Sequence, residues 1–357
     1  MTGAAVAAPV VDTDDEKRLV VYNWKEYIDP EVLERFTRET GVEIQYENME
    51  SNDQLDAKLR AGHAGYDVVF PSGTYLRRQI AGDLYLKLDK SRLKHLDETI
   101  PTISRKLRMF DPDNEHAVDY LFGTTGVAYN VAAVGAAMPD APVDSLAMIW
   151  DPAVVSRFAK CGVAVLDAPT EVVGSALLYL GKDPNSEKPE DLAAAAKVMM
   201  AARPYIRLAS SDYIKQLVSG EICVGLDWSG DALQARGFAA DKDEPVDIEY
   251  RLPHEGAFVF LDTMAIPADA KHVKNAHLFI DFLMRPDVAA RNSTFTGYPN
   301  GSGPSWLMVE PAVIENQNFF PLTPMQEKLF PDLPESAEFT ARLQRVWTRF
   351  RTGIAVH

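Results

Sequence analysis

Aromatic side chains and carboxylates recur together where apolar runs give way to turns. The set comprises Trp24, Glu26 and Tyr27; Ser72; Asp167 and Glu171; Asp227, Trp228 and Asp231; Phe260 and Asp262; and Tyr298. Aromatic faces attract ammonium groups by about 0.5–2 kcal/mol each, depending on desolvation. Carboxylates take charge-assisted hydrogen bonds from N–H donors. A site of this composition suits an elongated organic cation, with aromatic walls along its methylenes and acids at its ends. Each residue also has an ordinary structural use: Asp231 can cap a helix and Phe260 can fill a core.

The elements that must position these residues follow from periodicity. Arg18–Asn23 reads as a short buried strand, and Asp29-Pro30 opens a helix ending near Thr40-Gly41. Val42–Tyr46 is a second strand, Asn52–Ala61 a helix stopped by Gly62, and Tyr66–Phe70 a third strand before Pro71-Ser72-Gly73. A helix over Tyr75–Ala81 follows. Further along, strands are expected at Gly123–Asn130, Val163–Leu166, Ile222–Leu226 and Ala257–Ile266. Helices are expected at Glu171–Leu180, Asp191–Ala202, Asp212–Val218, from Asp231, at Ala276–Met284 and near Phe339–Phe350. Asp241–Pro245 reads as a surface connection. Strands alternating with helices of about ten residues imply βαβ units and parallel pairing. Ligands in such sheets sit beyond the carboxyl ends of strands, where Trp24 and Ser72 fall. Two such lobes imply a cleft that closes by hinge motion. No internal repeat or low-complexity segment interrupts the pattern.

Catalytic signatures are missing. There is no G-x-S-x-G, and His254-Glu255 is followed by Phe258 where a zinc-binding helix needs its second histidine. Gly181-Lys182 is followed by Asp183 rather than Ser or Thr, and Gly301-Ser302-Gly303 lacks the third glycine of a dinucleotide loop. The seven histidines are scattered, so neither a metal nor a cofactor is expected. The chain of 357 residues carries 36 Lys+Arg against 52 Asp+Glu, a net charge of −16. That balance argues against nucleic acid as a partner and favours cations. Two cysteines allow at most one bridge. No apolar run reaches the ~20 residues of a membrane span. The small-residue stretch before Arg18 reads equally as an export-signal remnant or as a leader.

Several stretches carry a family resemblance: YNWKEYIDPEVLERFTRETG at 22–41, YDVVFPSGTYLRRQIAG at 66–82, GTTGVAYN at 123–130 and CGVAVLDAPTEVV at 161–173. So do SSDYIKQLVSGEICVGLDWSGDALQA at 210–235, EGAFVFLDTMAIPADA at 255–270 and VWTRFRTG at 346–353. Collinear over nearly the whole chain after about residue 16, they resemble the polyamine-binding periplasmic proteins of ABC importers, nearest the putrescine and spermidine branch. The resemblance implies an α/β, two-lobed type II periplasmic binding protein fold with a hinged interlobe cleft. It implies a leader over 1–16, one lobe from 17–121 plus 245–297, and a second from 122–244 plus 298–357. A non-enzymatic receptor follows, periplasmic and monomeric, that delivers a putrescine- or spermidine-like amine to an inner-membrane permease.

The same resemblance implies a binding set of Trp24, Glu26, Tyr27, Ser72, Glu171, Ser211, Trp228, Asp231, Phe260, Asp262 and Tyr298, with Cys161 and Cys223 joined by a disulfide within the second lobe. Lys25 departs from the pattern, standing where close relatives carry Ser or Thr. Pointing inward, it would occupy an amine subsite and favour a modified or carboxylate-bearing amine. Pointing outward, it would leave dication binding intact. Ala168 matches putrescine-type relatives, whereas Thr74-Tyr75 differs from the usual residues beyond Ser72. A receptor that senses polyamines for a membrane signalling partner is a further alternative.

Overall fold

A computed structural model describes residues 12–62, 64–208, 213–240, 245–333 and 336–353. It contains ten strands: β1 Arg18–Trp24, β2 Glu43–Met49, β3 Val68–Val69, β4 Ala117–Asn130, β5 Val163–Val165, β6 Ile206–Leu208, β7 Val224–Trp228, β8 Ile248–Arg251, β9 Ala257–Ala265 and β10 Leu329–Pro331. The described chain divides into two compact units. The first holds residues up to Tyr120, Asp262–Thr296 and Asn300–Glu310; the second holds Leu121–Leu261, Gly297–Pro299 and the residues from Pro311 onward. The backbone crosses between them at 120/121, 261/262, 296/297, 299/300 and 310/311. The sequence reading places the second crossing at 245. Residues 245–261 instead belong to the second unit, where β8 lies antiparallel along β4 from Ile248 opposite Asn130 to Arg251 opposite Val127.

In the first unit β1 runs parallel to β2, with Arg18 opposite Glu43 and Trp24 opposite Met49. It also runs parallel to β3, through Val21–Val68 and Tyr22–Val69, and β3 meets Ala265 of β9 antiparallel. The strand expected over Tyr66–Phe70 shrinks to two residues. Asp67 turns its carboxylate on neighbouring backbone, accepting from the amides of Val20 at 2.8 Å, His272 at 2.9 Å and Lys271 at 3.1 Å. The helix Pro30–Thr40 begins where expected. Asp29 accepts from the Glu31 amide, and Gly41 ends the helix at φ +74°, a left-handed conformation that suits glycine. Its Phe36 packs edge-on against Phe279 and Phe282 of the helix Val273–Met284, at 5.0 and 5.3 Å.

In the second unit β7 lies antiparallel to β4 and parallel to β5, and β5 is parallel to β6. β7 starts later and runs further than the apolar pattern of Ile222–Leu226 indicates. Its last residue, Trp228, therefore falls opposite Thr125 of β4. The core gathers Trp150, Phe158, Leu177, Met199, Leu226, Trp347 and Phe350. The Trp150 indole donates to Ser175 Oγ at 3.0 Å, which satisfies the one polar atom that this large side chain buries. Cys161 and Cys223 form the expected disulfide, with their Cα atoms 5.5 Å apart. Among the described residues no helix is long and apolar enough to cross a membrane.

Candidate functional site

The first unit gathers Trp24, Tyr27, Ser72 and Asp262. Trp24 ends β1, and its indole Nε1 donates to the Phe70 carbonyl at 3.1 Å, so the ring is fixed at the carboxyl edge of the sheet. The chain then turns sharply through Glu26, a non-glycine residue at φ +55°. Tyr27 beyond this turn is buried, while Lys25 and Glu26 face solvent at 76% and 80% side-chain exposure, their charges 3.8 Å apart. Lys25 is thus an outward lysine in a solvent-exposed pair. Tyr27 is held by Tyr120, whose ring meets it edge-on at 5.9 Å and whose hydroxyl donates to the Tyr27 carbonyl at 2.7 Å.

Ser72 occupies the N-cap position of the helix Gly73–Ile80 but makes no side-chain cap. Its hydroxyl instead donates to Asp262 Oδ1 at 2.5 Å and accepts from Asn52 Nδ2 at 2.9 Å. Tyr27 donates to the other Asp262 oxygen at 2.9 Å. Asp262 is only 5% exposed, and burial pushes its carboxyl up to about 6 even though both hydroxyl donors pull it down.

The second unit gathers Thr125, Glu171, Trp228, Asp231, Phe260 and Tyr298. Glu171 lies in the first turn of the helix Pro169–Tyr179. Both its oxygens accept from the Trp228 indole Nε1, at 3.1 and 2.9 Å, and Thr125 Oγ1 donates to Oε2. Burial raises its carboxyl against the pull of these donors. Asp231 opens the helix Ser229–Ala240 and has no hydrogen-bond partner among the described residues; burial raises its carboxyl too. Phe260 and Tyr298 meet edge-on at 6.0 Å. Glycines make room for both rings: a Cβ on Gly123 would strike the Phe260 ring, and one on Gly230 would strike the Tyr298 hydroxyl.

Of the residues expected from sequence, Trp24, Tyr27, Ser72 and Asp262 thus come together in one unit, and Glu171, Trp228, Asp231, Phe260 and Tyr298 lie in the other. Ser211 lies outside the described residues. Asp167 is half exposed, with Arg351 at 3.8 Å, and takes no part. Sequence reasoning missed Asn52 and Thr125, whose polar side chains bind the key oxygens, and Gly123 and Gly230, which admit the rings. No sequence signal points to Thr125; its place opposite Trp228 is set by the pairing of β4 with β7. Among the described residues no group of three or more His, Cys, Asp or Glu side chains could hold a metal ion. None of Glu171, Asp231 and Asp262 forms an ion pair with Lys, Arg or His there.

The model of the bacterial extracellular solute-binding proteins matches residues 31–306. The putrescine-binding periplasmic protein SpuD of Pseudomonas aeruginosa (strain UCBPP-PA14) is 40% identical over 357 residues, spanning 99% of this chain and 97% of its own. The putrescine-binding periplasmic protein PotF of Escherichia coli K12 is 38% identical, spanning 95% and 92%. Among solved structures, PotD from Streptococcus pneumoniae, the substrate-binding protein of a spermidine/putrescine ABC transporter, superposes with a TM-score of 0.85. That match has 27% identity and covers 94% of this chain and 98% of PotD.

Proposed function

Because the chain belongs to the bacterial extracellular solute-binding proteins, we propose that it is the receptor of a polyamine ABC importer, capturing a putrescine- or spermidine-like linear amine outside the cytoplasmic membrane. One observation carries the reading. Asp262 is buried and Glu171 half-buried, each held by neutral hydroxyl or indole donors and neither paired with a protein cation. A buried acid without a counter-charge is costly and is compensated by whatever cation arrives.

Each unit carries an acidic cluster suited to an ammonium group: Asp262 with Ser72 and Tyr27 in the first, Glu171 and Asp231 in the second. Trp24 in the first unit, and Trp228, Phe260 and Tyr298 in the second, offer aromatic faces with a cation–π contribution of about 0.5–2 kcal/mol per ring. Binding and release need no covalent chemistry. The receptor acts as an exported monomer that passes its ligand to a membrane permease. A carboxylate-bearing ligand would need Lys25 in the site, and that side chain is exposed beside Glu26.

The test is a thermal-shift and calorimetric screen of putrescine, cadaverine, spermidine, agmatine and acylated polyamines against protein stripped of ligand by unfolding and refolding. Stabilisation by free diamines is expected. No shift with any free polyamine would overturn the reading.

A further inference from the structure

Behind the acids just described stand two more carboxyls, one in each unit, that the reading above does not use. Asp119 of β4 is 7% exposed, and neither of its oxygens has a hydrogen-bond partner. Asp227 of β7 is fully buried; its Oδ1 accepts the Trp228 amide at 2.9 Å, and its Oδ2 has no partner. Each sits within the electrostatic reach of a proposed ligand acid. Asp119 faces Asp262 on β9 and the backbone of Gly301, whose amide lies near it outside good hydrogen-bond geometry. Asp227 faces Asp231 on the helix Ser229–Ala240, Tyr213 on the helix Tyr213–Ser219 and Tyr250 on β8. No Lys, Arg or His forms an ion pair with any of the four acids among the described residues.

A buried carboxylate with so few donors keeps its proton. Burial raises both carboxyls well above their ordinary value, and the neighbouring ligand acid adds to the rise. Asp262, with two hydroxyl donors, and Asp231, more open to solvent, ionise first. Each cluster therefore holds one acid ready to pair and a second that still carries a proton. An ammonium group placed on the first acid favours the charged form of the second.

We propose that Asp119 and Asp227 are proton-carrying partners of Asp262 and Asp231, so that binding a dicationic amine expels protons from doubled carboxyl sites into solvent. The proton passes from carboxyl oxygen to water or buffer, and no bond within the ligand changes. This rests on the polyamine reading and adds to it a linkage between ligand capture and pH.

The experiment is calorimetric titration of the full chain with putrescine at about pH 8, in buffers of different ionisation enthalpy. The slope of observed heat against buffer enthalpy counts protons released. Asp262 itself, at about 6, is already ionised under these conditions. A slope of about one proton or more is expected, smaller in Asp119→Asn and in Asp227→Asn, and near zero in the double variant. Asparagine copies the shape of the neutral carboxyl. Affinity of the wild type rises with pH by up to about tenfold per unit for each proton released, and the variant curves are flatter and meet it at the acid end. A wild type with no buffer dependence, or a double variant with an undiminished slope, overturns the inference while leaving polyamine binding standing. Absence of any binding heat with putrescine, cadaverine and spermidine overturns both. A flat wild-type slope overturns the inference even where a variant does not fold.

Discussion

Asp262→Asn should make the ligand-free protein more stable and a poorer binder at once. The carboxyl is 5% exposed and titrates at about 6 in the folded chain, against ~3.9 when unfolded. That difference corresponds to about 3 kcal/mol of folding free energy lost at neutral pH. Between about pH 4 and 6 the folded chain holds a proton that the unfolded chain has released, so stability falls as pH rises through that window, and the full cost persists above it. Asparagine removes the charge but brings an amide that must find a partner beside Ser72 and Tyr27, returning about 1 kcal/mol. A net gain of about 2 kcal/mol at pH 7 remains, read as a rise in Tm that fades as the pH falls toward ~4. Putrescine affinity, measured by calorimetry, should drop about 10–100-fold, the worth of a lost charge-assisted bond of ~1.5–3 kcal/mol. A variant less stable than the wild type at pH 7, or one that binds as tightly, would refute the reasoning.

Three further outcomes can be checked with the same instruments. Gly230→Ala drives a Cβ into the Tyr298 hydroxyl, so it should cost about tenfold or more in polyamine affinity; an affinity equal to the wild type would show that Tyr298 does not line the site. Lys25→Ala removes a solvent-exposed charge 3.8 Å from Glu26, and a change in affinity of less than about threefold is expected; a large loss would place Lys25 in the site after all. The disulfide closes a loop with a sequence separation of 62, worth about 4 kcal/mol on a chain-entropy account. The paired Cys161→Ala and Cys223→Ala variant should therefore melt well below the wild type, as the reduced wild type should, and equal melting temperatures would contradict it.

Local structure was legible wherever one residue type settles one backbone feature. Asp29-Pro30 and Gly41 bracket a helix because a carboxylate caps, a proline fits the first turn and a glycine takes positive φ. Asn52–Ala61 was read to the residue for similar reasons. Strand ends were harder. β7 reaches Trp228 because pairing with β4 carries it there, a non-local fact with no trace in the apolar run.

The site shows the same division. Trp24, Trp228 and Asp262 stand out by chemistry, but Asp119 is one polar residue inside a fourteen-residue strand buried throughout, where sequence gives no hint that its oxygens lack partners. The spaces left by Gly123 and Gly230 become meaningful only once Phe260 and Tyr298 arrive from elsewhere in the chain. Lys25 looked ambiguous because its direction is set by the positive φ of Glu26, a conformation that glutamate rarely adopts.

The repeated crossing of the backbone bears on how the protein comes into being. Neither unit is a continuous stretch, and the first is not complete until Glu310. Its sheet closes only when Ala265 reaches Val69, roughly two hundred residues later in the chain. Loop-closure entropy must be met before such a pairing gives anything back, so early collapse of the amino-terminal third gains little. A chain emerging end-first therefore stays open, and exposed to chaperones and proteases, until most of it is made. Truncation before residue ~310 should leave two unfinished halves in place of one folded domain.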